Sequence, residues 1–213
     1  MSNENPSDAG LRPSSRAKRD AILDAATRAF FEEGFAGASI ESIAQEAGVS
    51  KVTVYNHFGD KTGIFTAAVE RECELMRGAF DVVPDLSGTL RERLAAIGET
   101  MVAFLGRPKM VQFERRVAAE TERHPDVGRA FLETGPHRMR AAFAALLRAM
   151  DAAGEVRVAD AELAAEQFAS MCKGMGDLDK RFGAAPDPRR DRERIAGAVE
   201  VFCRAYATGD TSG

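Results

Sequence analysis

Lys51, Thr53, Tyr55, Asn56 and His57 crowd into one short run directly behind Ser50. Together they supply a cation, hydroxyls, an amide and an imidazole, groups that donate to phosphate oxygens or read base edges in a DNA groove. No comparable set points to catalysis. The chain has no His-Glu-x-x-His, no glycine-rich phosphate loop after a strand, and no Ser or Cys with a neighbouring His in a recognisable arrangement. Its three histidines, His57, His124 and His137, lack metal-ligand spacing. No catalytic residue, metal or cofactor is expected.

The elements that must carry these donors are legible around them in the stretch SIESIAQEAGVSKVTVYNHFGDK, residues 39–61. Ile40, Ile43, Ala44 and Ala47 fall at i, i+3, i+4 and i+7, which predicts a helix with one apolar face. Ser39 precedes it as a cap, and Gly48 ends it where the chain must turn. Val49 follows as an apolar plug, Ser50 caps again, and helical spacing resumes from Lys51 to Phe58 with Val54 and Phe58 on one face. A helix of about two turns is held by packing rather than propensity. Ala44 leaves room where the two helices cross. This is a helix-turn-helix pattern whose second helix suits a major groove. The same glycine and alanine would also serve a helical hairpin in an ordinary all-α protein, where they only pack.

The flanks decide between these readings by resemblance. Residues 21–69, AILDAATRAFFEEGFAGASIESIAQEAGVSKVTVYNHFGDKTGIFTAAV, strongly resemble the DNA-binding domain of the TetR family of bacterial one-component regulators. The carrying motifs are the Ala-Phe pair before Gly34-Phe35, Ile43-Ala44, Gly48-Val49-Ser50, Thr53 with Tyr55 and Phe58, and Lys61 opening the next helix. The resemblance implies phosphate contacts for Ser39, Thr53, Tyr55, His57 and Lys61, and base-facing positions for Lys51, Val52 and Asn56. Ser50 completes the expected DNA-binding set. The chain departs from the family's pattern at Glu41, where a basic or neutral residue is common, and at Gly63, where a better helix former is usual.

The chain of 213 residues is 45% hydrophobic and 29% charged, the composition of a globular protein large enough for one or two domains. A net charge of -4 argues against unselective coating of nucleic acid. It leaves room for a local basic face. Arg12, Arg16, Lys18 and Arg19 stand without an acid among them beside a stretch rich in Asn, Pro, Ser and Gly, so residues 1–15 are expected as a disordered tail. Such an arm either adds DNA contacts or only solubilises. Cys73, Cys172 and Cys203 are odd in number and far apart, which predicts reduced, partly buried thiols. With no bilayer-length apolar stretch and no signal region, a cytoplasmic protein with no membrane partner is expected.

Beyond the motif only helical periodicity appears. Helix one is expected over about 16–33, closed by Gly34 with Phe35 folding back onto the core. A fourth helix runs from about Asp60 towards Phe80, and residues 84–88 break the pattern. Further helices are expected over about 89–105, 109–123, 126–153, 161–182 and 188–207. Gly135-Pro136 predicts a kink or second start inside the third of these. The fold class is all-α, with an N-terminal three-helix helix-turn-helix domain, residues 16–62, joined to a larger helical domain, residues 63–208, for effector binding and dimerisation.

Residues 113–140, FERRVAAETERHPDVGRAFLETGPHRMR, are similar to the C-terminal domain of the AefR-like branch of these regulators. Met101, Phe104, Phe113, Phe131, Met139, Phe143, Phe168 and Met171 are the candidates to line a pocket for a small, largely apolar effector, although Met and aromatic stripes at helical spacing more often pack a core. Arg116, Glu120 and His137 are polar candidates beside them. The last two helices, through Ala164, Phe168, Met175, Ile195, Val199 and Phe202, are expected as the homodimer interface that the resemblance implies. Gly174 and Gly176 there suggest a close approach. The expected function is a ligand-responsive regulator, a repressor, that a small molecule releases from a pseudo-palindromic operator in double-stranded DNA. The rival is an all-α ligand-binding or interaction protein whose helix-turn-helix no longer binds DNA.

Overall fold

The computed structural model describes residues 13–81 and 88–209. Arg12 and the rest of the expected tail up to that point, the break over residues 84–87 and the side chain of Cys73 lie outside the described residues. All regular structure among the described residues is helical, as the periodicity predicts, apart from one antiparallel bridge between Val156 and Ala207.

The chain divides into two compact units. The first takes in residues up to Arg71 together with Arg116–Phe131, and the second holds the remainder. The chain therefore passes between them inside helices rather than at a linker.

In the first unit, α1 (Pro13–Gly37) begins three residues earlier than the periodicity suggests, so Pro13, Ser14 and Ser15 belong to a helix. Its stripe of Ile22, Ala26, Ala29 and Phe30 is buried. Gly34 interrupts it at φ 80°, a left-handed conformation glycine adopts without strain. Phe35 then folds back, 6.0 Å from the Phe30 ring and 5.5 Å from that of Phe65. Next come α2 (Ile40–Glu46), α3 (Lys51–Phe58) and α4 (Lys61–Asp81). Ile43 and Ala44 from α2, Val54 from α3, and Ile64, Phe65, Ala68 and Val69 from α4 are buried. The segment 116–131 completes this unit. Arg116 donates to the carbonyl of Phe31, Glu120 accepts from the Ala36 amide at 3.3 Å, and His124 lies 5.9 Å from the Phe35 ring. Val117 and Val127 are buried with them.

The second unit is built from α5 (Leu90–Leu105), α8 (Pro136–Ala152), α9 (Ala161–Arg181) and α10 (Pro188–Tyr206). The chain passes between the units in α6 (Pro108–Thr121) and α7 (Pro125–Thr134). Gly135-Pro136 proves to be a second start, ending α7 and opening α8 with proline in its first turn. The core gathers Leu94, Leu147, Phe168, Cys172, Ile195 and Phe202. Burial pushes the Cys172 thiol up to about 12, far from the reactive thiolate range. Gly174 breaks α9 at φ 46°, and a Cβ on Gly176 would meet the Arg194 guanidinium at 1.9 Å. The close approach these glycines allow is to Arg194 on α10 of the same chain.

Candidate nucleic-acid interface

Two local choices fix the geometry of the helix-turn-helix. Ser39 Oγ accepts from the amide of Ser42 at 3.0 Å and Ser50 Oγ from that of Thr53 at 3.1 Å, so both short helices start on side-chain caps. Between them Gly48 turns the chain at φ 67°, and the Val49 amide donates back to the Ala44 carbonyl at 3.0 Å. Val54 is the buried residue of α3.

The rest of α3 faces outward. Lys51 and Asn56 are exposed, Val52 and Tyr55 are 66% and 45% exposed, and Thr53 and His57 are half-buried. The hydroxyls of Ser50 and Thr53 pair at 2.9 Å. Lys51 donates to the carboxylate of Glu41 on α2. This bond holds the Glu41 carboxyl below its usual range and raises the Lys51 ammonium above its own. Of the nine expected DNA-binding residues, Ser50, Lys51, Val52, Tyr55 and Asn56 are exposed on or at the start of α3, and Ser39, Thr53 and His57 are half-buried. Lys61 is turned inward, its ammonium 4.8 Å from the Phe35 ring and 3.3 Å from the Ala36 carbonyl. Burial lowers its pKa.

The basic stretch ahead of α3 is part of α1. Arg16 and Lys18 are exposed, and the Arg19 guanidinium stacks 4.7 Å from the Phe58 ring. Burial, followed by the charges of Arg19 and Lys18, lowers the pKa of His57. The basic run therefore adjoins the C-terminal end of α3, at His57 and Phe58.

The expected effector residues are less concentrated. Phe168 lies in the core of the second unit, with Met101, Phe143 and Met171 packed against it. Phe113 is also buried, while Phe104, Phe131 and Met139 are half-buried. Phe104 carries the Arg107 guanidinium 4.0 Å from its ring, and Phe131 belongs to the first unit. Arg116 and Glu120 are committed to the contacts with Phe31 and Ala36, and His137 is exposed. An open apolar groove of about 370 Å³ runs between α9 and α10, lined by Met171, Val201, Phe202 and Tyr206 among others.

The expected dimer residues need correcting. Ala164, Phe168, Ile195, Val199 and Phe202 are buried in their own subunit's core. Only Met175 of that set faces outward, at 64% exposure. The outer sides of α9 and α10 carry Leu163, Leu178 and Val201, which periodicity passed over because α9 and α10 have apolar residues on both sides. Among the described residues no cluster could hold a metal ion, and no helix is long and apolar enough to cross a membrane.

Comparison with known proteins agrees with this geometry. Residues 22–68 match the family described as bacterial regulatory proteins, tetR family, and residues 92–208 match the C-terminal domain of AefR-like transcriptional repressors. The chain is 36% identical over 80 residues to the HTH-type transcriptional repressor Rv1474c of Mycobacterium tuberculosis, covering 38% of this chain and 42% of that one. It thus spans less than half the length of that curated relative. Among solved structures, a TetR-family regulator from Mesorhizobium loti superposes with a TM-score of 0.79 at 27% identity, covering 92% of this chain and 100% of the other. The flavonoid-responsive regulator FrrA gives 0.75 at 31% identity, covering 91% and 98%. With both parts of the chain matched in order, this protein belongs to the TetR family of DNA-binding transcriptional regulators.

Proposed function

We propose that the protein is a homodimeric repressor that holds a pseudo-palindromic operator through α3 and lets it go when a small molecule binds its helical C-terminal part. The observation that carries this reading is α3 itself. It buries Val54 and leaves Lys51, Val52, Tyr55 and Asn56 exposed, while basic residues of α1 meet its C-terminal end at His57 and Phe58. In this reading residues 16–62 hold the DNA-contacting elements and residues 63–208 the effector and dimer functions. Thr53, Tyr55, His57 and the cap hydroxyls of Ser39 and Ser50 meet phosphate, while Lys51, Val52 and Asn56 face bases. Val52 offers an apolar contact suited to a thymine methyl. Lys61 reaches phosphate only by leaving the Ala36 carbonyl. Such a regulator works in the cytoplasm, where its DNA is.

Two copies joined along the outer sides of α9 and α10 present two recognition helices, and a spacing of about 34–36 Å places these in successive major grooves. The similarity to FrrA, named for its response to flavonoids, supports an effector of planar, largely apolar aromatic type. An allosteric coupling of about 1–3 kcal/mol lowers operator affinity about 5- to 150-fold.

The test is binding of the purified protein to the DNA upstream of its own gene and to unrelated DNA of equal length, over a salt series, with and without an added flavonoid. Retention of the upstream fragment alone, and its release by the flavonoid, is the expected result. Equal, weak binding to both fragments would count against operator recognition there, and retention unaffected by the flavonoid against that effector class.

A further inference from the structure

Glu41 stands in the first turn of α2 and Lys51 opens α3, and the Lys51 ammonium donates to the Glu41 carboxylate across the outer side of both helices. The pair fills no core. Glu41 is 65% and Lys51 46% exposed at the side chain, and the helices are held instead by Ile40, Ile43, Ala44 and Val54. An exposed ion pair adds little to stability. Its position matters more. Lys51 is the one lysine or arginine within α3, and it shares its side of the helix with Tyr55, so on the DNA-binding reading the partnered carboxylate stands on the side that would meet the duplex. Sequence-indifferent affinity comes from cations that displace counterions from phosphate, and a cation already paired with a carboxylate displaces none.

Resting on the DNA-binding reading, we propose that Glu41 is a specificity-determining residue that competes with phosphate for Lys51. Unrelated duplex then draws little from α3. Lys51 leaves the carboxylate only where a site offers a stronger acceptor, such as the paired O6 and N7 edge of guanine. The charged state of both partners at neutral pH, reinforced by their mutual bond, fits this arrangement.

The experiment measures fluorescence anisotropy of a labelled duplex of unrelated sequence with the full chain over a sodium chloride series, for the wild type, E41Q, K51M and the double variant. The three variants carry changes only at exposed positions, and matching thermal melts check the fold. E41Q is expected to bind about 3- to 10-fold tighter at low salt, with the log–log salt slope steeper by about 0.9 for each phosphate contact recovered. The gain should vanish when E41Q is placed on K51M. Unchanged affinity and slope in E41Q would overturn the inference while leaving the DNA-binding reading intact. So would a gain that persists in the double variant, since general charge repulsion by Glu41 would then explain it. Binding by E41Q alone would support it in its strongest form, whereas binding by neither protein even at low salt would overturn the inference, since freeing Lys51 would then have added no phosphate affinity.

Discussion

Gly63 lies against the last turn of the recognition helix so closely that a Cβ on it would stand 2.1 Å from the carbonyl oxygen of Phe58. Its amide donates to Asp60 Oδ1 at 2.7 Å. Glycine is a poor residue for the first turn of a helix on propensity alone. Here the missing side chain is what lets α4 start immediately behind α3, and so fixes how the outward face of α3 is presented. The departure from the family's usual residue has a steric cause.

Replacing Gly63 by Ala should therefore do harm where helix propensity predicts a gain. The better helix former offers up to about 1 kcal/mol, but the clash is with backbone and must be relieved by shifting the junction, at about 1–3 kcal/mol. A net loss in urea-induced unfolding is expected, with duplex affinity reduced further because α3 is displaced. A midpoint at or above that of the wild type would show that the junction yields easily.

His57 should make both stability and DNA binding sensitive to mild acid. Its pKa in the folded protein lies below the ordinary value of 6.5, through burial first and then through Arg19 and Lys18. In the window between the folded value and 6.5 the unfolded chain holds the proton and the folded chain does not, so stability falls as pH drops through it. A phosphate placed beside the imidazole opposes the two cations and favours its charged form, so duplex binding should take up a proton and strengthen over the same interval. An NMR titration of His57 with and without DNA reads both effects. H57Q should flatten both pH dependences, and a folded pKa at or above 6.5 would contradict this account.

Substitutions on α10 should separate the inner from the outer side of the helix. Val201 is 53% exposed, while its neighbour Phe202 is buried. If two copies join along this side as proposed, V201E should shift the protein from dimer to monomer in sedimentation and lower the melting temperature only by the stabilisation that association supplies, an effect that grows with protein concentration. F202A should cost about 3–5 kcal/mol of stability by opening a core cavity. A stable dimer in V201E would place the subunit contact elsewhere.

The helix ends were legible because they are written in local backbone chemistry. Gly34 and Gly48 take positive φ, and Pro136 restarts a helix where its missing amide costs nothing. The helix-turn-helix was legible for the same reason, its caps and its turn all lying within a few residues. What sequence did not disclose were relationships between residues distant along the chain. Nothing in the spacing shows that Lys51 reaches Glu41, that Arg194 occupies the space above Gly176, or that Arg116 closes on the Phe31 carbonyl. Periodicity names an apolar stripe, and on α9 it selected the inner one, Ala164 and Phe168, although Leu163 and Leu178 lie outward.

The three passages of the chain between its units, all inside helices, limit how this protein can be recombined. A gene fusion cut after residue 71 would carry away α1 to α3 but strand them without Val127, and would leave the Phe31 carbonyl and the Ala36 amide without Arg116 and Glu120. The compact unit that contains the helix-turn-helix is thus discontinuous in the gene. A chimera with a foreign sensor works only if residues 116–131 travel with the amino-terminal helices, or if the graft brings its own groups to meet them.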